Sequence, residues 1–152
     1  MKNMVHKHVE YLMSIKPKFA YQIFTGKKKF ELRRHVGIDV EEGAKIVLYV
    51  SGNVRAIMGE FTVGKIIKGS ALYVWNKAIE QGDVGLDEDD WPYIKGSKTA
   101  LAIEVRNPKI YRRPISLNEL RRIIPNFMPP LSYRILYKNE PLHMIIEKLR
   151  TL

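Results

Sequence analysis

The 152 residues contain no cysteine, which removes disulfides, thiol nucleophiles and every zinc site built on thiolates. Long hydrophobic runs are missing as well. No apolar stretch approaches the roughly 20 residues that a helix needs to span a bilayer. Met1 to Glu10 holds His6 and His8 among lysines rather than an apolar signal core, so the expected compartment is the cytoplasm. There is no internal repeat, low-complexity tract or Gly/Ser linker. One domain over residues 1–152 is therefore expected, long enough to bury its own core. Nucleotide-binding and serine-nucleophile signatures are also lacking. Residues 64–70 (Gly-Lys-Ile-Ile-Lys-Gly-Ser) have the wrong glycine spacing for a phosphate loop, and neither Gly-x-Gly-x-x-Gly nor Gly-x-Ser-x-Gly occurs. No cofactor is expected.

Positive charge is in excess. Lys and Arg number 26 against 16 Asp and Glu, a formal net charge of +10. Such an excess bears on partners rather than on fold, and it favours polyanions, of which nucleic acid is the commonest. The bland alternative is a lysine-rich solvated surface. The excess is uneven. Residues 1–36 hold nine Lys/Arg and two Glu (+7), residues 37–105 seven against eleven (−4), and residues 106–152 ten against three (+7). Chain ends often lie close together in a domain, so the two basic segments are expected to share a face.

Periodicity gives the elements. Tyr11 to Ile15 reads as a strand; Pro17 suits a first helical position, with Phe19, Ala20, Ile23 and Phe24 at helical spacing and Gly26 as terminator. Lys28 to Arg34 alternates as a strand, with Phe30 and Leu32 on one face and Lys29, Glu31 and Arg33 on the other. Lys45 to Ser51 is apolar enough for burial on both faces. Arg55 to Ile67 is a strand bent at Gly59 and Gly64. Ser70 caps a helix to about Gln81, and Asp83 to Gly96 reads as an acidic loop with room for a short helix. Two strands are expected at Ala100–Arg106 and Lys109–Arg112, separated at Pro108. Ser116-Leu-Asn-Glu119 is a capping box, and Asn139 to Leu149 closes the chain as a helix. This order gives an α+β fold around a small curled sheet or barrel.

The segment from Ser14 to Arg34 concentrates the chemistry. A helix ends at a glycine, and a strand follows that presents Lys28, Glu31 and Arg33. Glu31 and Arg33, two apart, project from one face. A carboxylate beside a guanidinium stays ionised, and the guanidinium can reach a phosphate. An ordinary surface ion pair is the alternative.

This segment resembles the opening of ASCH domains, a PUA-related family with a short strand, a helix ending in Gly and a G-x-K-x-x-[E/T]-x-R strand, here Gly26, Lys28, Glu31 and Arg33. Arg113 to Leu120 and Pro129 to Arg134 resemble the C-terminal segments of archaeal-type members, so the likeness runs from about Leu12 to Leu136. The resemblance implies a PUA-like β-barrel with surrounding helices and a cleft lined by the Lys, Glu and Arg. It implies RNA, or a nucleotide-like ligand, as partner, with Lys16, Lys28, Glu31, Arg33, Arg34, Arg113, Ser132, Tyr133 and Arg134 as the binding residues. The alternative is a hydrolase of a modified nucleoside or RNA, with Lys28 and Glu31 catalytic. One bacterial branch hydrolyses an acylated cytidine with a lysine, a threonine and a glutamate. Glu31 stands at the threonine's place, and a carboxylate substitutes poorly for a hydroxyl nucleophile. Binding and catalysis both stay open at this point.

Other groups carry less. His6, His8, His35 and His143 are scattered, and no metal site is expected. Asp87 to Asp90 reads as a solvated acidic loop. Arg112, Arg113, Arg121 and Arg122 are suited to tracking phosphates, with Tyr111, Tyr133 and Tyr137 nearby for stacking. The competing expectation places two of those tyrosines in the core.

Overall fold

A computed structural model describes residues 9–152 of the chain; His6 and His8 lie outside the described residues. Six strands and four helices follow in the order β1 (Glu10–Ile15), α1 (Pro17–Phe24), β2 (Phe30–Arg34), β3 (Lys45–Val50), β4 (Ala56–Gly69), α2 (Ala71–Ile79), β5 (Ala100–Ser116), α3 (Leu117–Ile123), β6 (Tyr133–Leu136) and α4 (Pro141–Thr151). A single 3-10 turn, Trp91–Tyr93, interrupts the segment between α2 and β5. The strands form one mixed sheet in the order β2-β5-β4-β3-β1-β6, curled into a half-barrel. β1 and β3 run parallel and every other pair is antiparallel. The α+β class and the curled sheet are as the sequence predicts.

The period of two along each strand sorts side chains between the faces. Tyr11, Met13 and Ile15 of β1 join Ile46, Leu48, Val50, Phe61, Leu101 and Ile103 on the face covered by α1 through Phe19, Ala20 and Ile23. The alternate residues Leu12, Val47, Tyr49 and Ile57 meet Leu117 and Leu120 of α3 and Leu142, Ile146 and Leu149 of α4. A third cluster sets Phe30 and Leu32 of β2 against Ala71, Val74 and Ala78 of α2. The capping box at Ser116 is complete, with the Glu119 N–H donating to Ser116 Oγ at 3.1 Å and the Ser116 N–H donating to Glu119 Oε1 at 3.2 Å.

Curvature has local causes. The β4–β5 register shifts beside Gly59 and across Gly64. A Cβ on Gly59 would stand 2.1 Å from the Lys109 carbonyl oxygen, so only glycine permits the strands to approach there. One expectation is corrected. The two strands anticipated on either side of Pro108 are one strand of 17 residues. Arg106 pairs with Thr62 and Lys109 with Glu60, so Asn107 and Pro108 together oppose Phe61 as a bulge. Asn107 takes a positive φ of 49°, and the proline needs no ladder partner in a bulge. β6, which pairs antiparallel with β1, went unanticipated because four residues carry too little pattern.

Candidate functional site

A cleft of about 640 Å³ opens where the end of β1 meets β2, the start of α1, the 3-10 turn and the 129–132 loop. Its geometry is organised by Ser14. The Ser14 hydroxyl donates to the Pro130 carbonyl at 2.6 Å, and its N–H donates to the Ser132 carbonyl at 2.9 Å, tying the proline loop to β1. The Ser14 carbonyl accepts Arg33 Nη2 at 2.7 Å, and Arg33 Nε donates to Glu31 Oε2 at 2.9 Å. The guanidinium is thus fixed on two sides. Arg33 Nη1 and Glu31 Oε1 have no hydrogen-bond partner among the described residues. Both side chains line the cleft and are mostly buried, with 12% and 6% exposure respectively. The row of charged side chains on β2 therefore faces a hollow, and the surface-pair alternative accounts for the contact but not for the concavity around it.

Lys16 and Arg34 stand at the cleft's exposed rim, and Ser132 lines it. Arg34 Nη2 donates to the Lys95 carbonyl at 2.7 Å. Lys16 Nζ lies 5.5 Å from the Tyr93 ring centroid, and hydrogen bonding to the Tyr93 side chain holds this lysine above its ordinary range. Lys16, Glu31, Arg33, Arg34 and Ser132 are thus brought together.

Four other residues of the expected set do not line this cleft. Lys28 is wholly buried, its ammonium ion-paired with Asp90 and 4.7 Å from the Phe19 ring centroid. Tyr133 is in the core; its hydroxyl donates to the Ile38 carbonyl at 2.7 Å, and burial raises its pKa. Arg134 forms a two-pronged pair with Glu140, both contacts at 2.9 Å. Arg113 is exposed near the end of β5. Of the three tyrosines weighed for stacking, Tyr111 and Tyr133 are core and Tyr137 is exposed. His35 contacts the Asp39 carboxylate at 2.9 Å.

The acidic segment follows its reading as a solvated loop at Asp87, Glu88 and Asp89, which are exposed, and departs from it at Asp90. Asp90 is 3% exposed, accepts the Asp87 N–H at 2.9 Å as well as Lys28, and lines the cleft. The segment is docked, because the Lys29 N–H donates to the Val84 carbonyl at 2.8 Å. Gly85, at φ +77°, lies so close to residues 27–28 that a Cβ would be 2.1 Å from the Lys27 carbonyl. The docking also delivers Tyr93 to the cleft. Sequence reasoning missed Ser14, Tyr49, Asp90 and Tyr93 as lining residues. Pro92 before Tyr93, inside an acidic stretch, was the one available hint; Tyr49 reads as core because it is core on its other contacts.

Away from the cleft, Glu10, His143 and Glu147 bring three metal-type donor atoms within 4.8 Å of one another. Arg150 Nη1 donates to Glu10 at 3.0 Å and to Glu147 at 2.8 Å, so a guanidinium already supplies the positive charge. Its Nε also donates to Glu60 at 2.6 Å, and Tyr111 donates to the same oxygen at 2.6 Å. Burial pushes the Glu60 carboxyl up, but these two hydrogen bonds and the Arg150 charge outweigh it and leave the pKa lowered.

The curled mixed sheet and its flanking helices are those of a PUA-like domain. The chain belongs to the ASCH domain family, and the model of the family described as a domain of unknown function (DUF365) matches residues 9–127. An ASCH domain-containing ribonuclease of Zymomonas mobilis subsp. mobilis is 30% identical over 131 residues, 86% of each chain. The crystal structure of ASCH from Zymomonas mobilis has a TM-score of 0.74 at 30% identity, covering 90% of this chain and 94% of that one. Two further structures of that protein, a serine-to-alanine and a tyrosine-to-phenylalanine variant, match equally well at 0.74 and 29% identity, over 91% and 90% of this chain and 95% and 96% of theirs. The N-terminal domain of Staphylothermus marinus McrB shares the fold alone, with a TM-score of 0.59 at 12% identity over 99% of this chain and 98% of that one. No helix among the described residues is long and apolar enough to cross a membrane.

Proposed function

We propose that the cleft binds single-stranded RNA, with Arg33, Arg34 and Lys16 meeting the phosphates. The observation that carries this reading is the Arg33 guanidinium, fixed by Glu31 and Ser14 with Nη1 left over in a concave site. An immobilised guanidinium loses little freedom on binding and matches phosphate geometry. The lining cations Lys16, Arg33 and Arg34 exceed the lining carboxylates Glu31 and Asp90, and Asp90 is already answered by Lys28. A strand splayed into a hollow suits RNA, whose sequence is read mainly where bases are unstacked.

The test is fluorescence anisotropy of a labelled single-stranded RNA across salt. Binding is expected at about 50 mM salt and is expected to weaken steeply by 200 mM as counterions are released. Lys16→Ala and Arg34→Ala, both exposed, are each expected to weaken binding and flatten the salt slope by about 0.7. Absence of binding at low salt, or slopes unchanged in both variants, refutes the reading.

Cleavage is the second reading, favoured by Glu31 Oε1 standing unpartnered in the cleft and by the relative's being a ribonuclease. In this reading Glu31 takes the proton of a ribose 2′-hydroxyl as its oxygen bonds to the adjacent phosphorus. The phosphorus–O5′ bond breaks, and O5′ takes a proton from water, giving a 2′,3′-cyclic phosphate and a 5′-hydroxyl end. Arg33 stabilises the added negative charge. The cleft also holds both residue types altered in the relative, as Ser14, Ser51 and Ser132 and as Tyr49 and Tyr93. Glu31→Gln is expected to abolish turnover while binding persists; cleavage at the wild-type rate in that variant excludes Glu31 as the base.

A further inference from the structure

The cleft does not end at Tyr93. A second hollow of about 520 Å³ lies beyond it, lined by Lys16, Lys18, Phe19, Asp89, Pro92 and Tyr93. Four of these, Lys16, Phe19, Pro92 and Tyr93, also line the main cleft. The two hollows are therefore neighbours that share the rings of Phe19 and Tyr93 and one ammonium, and the Tyr93 ring is the more exposed of the two.

That ring is held still. Its centroid is 5.3 Å from that of Phe19, edge-on at 89°. The turn that carries it is anchored on both sides. Asp90 before it is locked to buried Lys28, Trp91 meets the Trp75 ring edge-on at 5.5 Å, and Ile94 after it is fully buried. The turn's own bonds run from the Tyr93 N–H to the Asp90 carbonyl and from the Ile94 and Lys95 N–H groups to the Trp91 carbonyl. Tyr93 itself remains partly exposed. An aromatic ring fixed before the guest arrives loses little entropy on contact, and any base can stack on it.

We infer that Tyr93 and Lys16 form the partition between two nucleotide subsites, so that the second hollow accepts the neighbouring nucleotide of a single strand. Its base stacks on Tyr93, and the phosphate joining the two nucleotides meets Lys16. Lys18 is committed to Asp87 and Asp89, so Lys16 is the cation left for that phosphate. The inference rests on the reading of the main cleft as an RNA site and adds a length requirement: a mononucleotide occupies one subsite, whereas a di- or trinucleotide occupies both.

The experiment compares the Kd of AMP with those of 2′-fluoro ApA and ApApA, which resist cleavage through the 2′ position, for the wild-type chain, Tyr93→Ala and Tyr93→Phe. The wild type and Tyr93→Phe are expected to gain roughly 5- to 150-fold from AMP to the trinucleotide, the range of one base–aromatic stack. Tyr93→Ala is expected to weaken the trinucleotide more than AMP, so that most of that gain disappears. Equal loss for AMP and the trinucleotide places Tyr93 within the first subsite and overturns the partition. So does a wild type indifferent to length. A wild type that binds neither AMP nor any oligonucleotide sinks the RNA reading itself, a result distinct from the other two.

Discussion

Replacing Lys28 by methionine tests whether this buried lysine holds the site together from behind. Its side chain is 0% exposed and its partner Asp90 only 4%, so the variant leaves a carboxylate out of water with one remaining hydrogen bond, from the Asp87 N–H. Breaking a buried pair from one side costs about 3–5 kcal/mol, because the surviving charge is uncompensated. Replacing both partners, Lys28→Met with Asp90→Asn, removes that charge and leaves a neutral acceptor for the Asp87 N–H. Its expected cost is smaller, about 1–3 kcal/mol, set by imperfect satisfaction of polar groups. The double variant should therefore be more stable than Lys28→Met alone, a non-additivity that a double-mutant cycle in urea reads directly. The docked segment carries Tyr93, so Lys28→Met should also weaken RNA binding more than Lys28→Met/Asp90→Asn does. A Lys28→Met variant within about 0.5 kcal/mol of wild type, the usual limit for a surface substitution, refutes the reasoning. So does a double variant that costs the sum of its singles.

Arg150→Ala leaves Glu60 and Glu10 facing each other without their shared guanidinium, and a loss of about 3–5 kcal/mol is expected in the same urea assay at neutral pH. Because the Glu60 pKa in the folded chain lies below its ordinary value of 4.5, its stabilising contribution is full above about pH 4.5 and is lost as pH falls through the lowered value. The deficit of Arg150→Ala should accordingly narrow between pH 7 and pH 3; a deficit constant across that range refutes the ionised partner. Gly85→Ala is expected to cost at least about 1–3 kcal/mol, since its φ of +77° disfavours a side chain and the added Cβ would meet the Lys27 carbonyl oxygen. A thermal scan showing no loss would mean that the segment is not docked as described.

The elements were legible where a local rule acts alone. The capping box at Ser116, the Pro17 start of α1, the buried run of β3 and the bends at Gly59 and Gly64 each follow from a few neighbouring residues and their steric or hydrogen-bonding needs. The alternation on β2 likewise dictated that Glu31 and Arg33 share a face. Other outcomes depended on partners distant in the chain. Lys28 looks like any surface lysine until residues 84–90 fold over it, a contact 62 residues away that no local pattern encodes. Arg134 and Tyr133 sit in a segment that resembles the family, yet the pairing of β6 with β1 turns one toward Glu140 and the other into the core. Ser14 is unremarkable as a residue type and acts only because Pro130, Ser132 and Arg33 converge on it.

The sequence by itself determined the class of fold, the identity of the glycine-led charged strand and the absence of thiol chemistry, since these follow from residue type, period and composition. Tertiary structure alone decided which charges reach the cleft. Charge is conferred by the side chain, but whether it is spent on an internal partner or left for a guest depends on which distant segment lies against it.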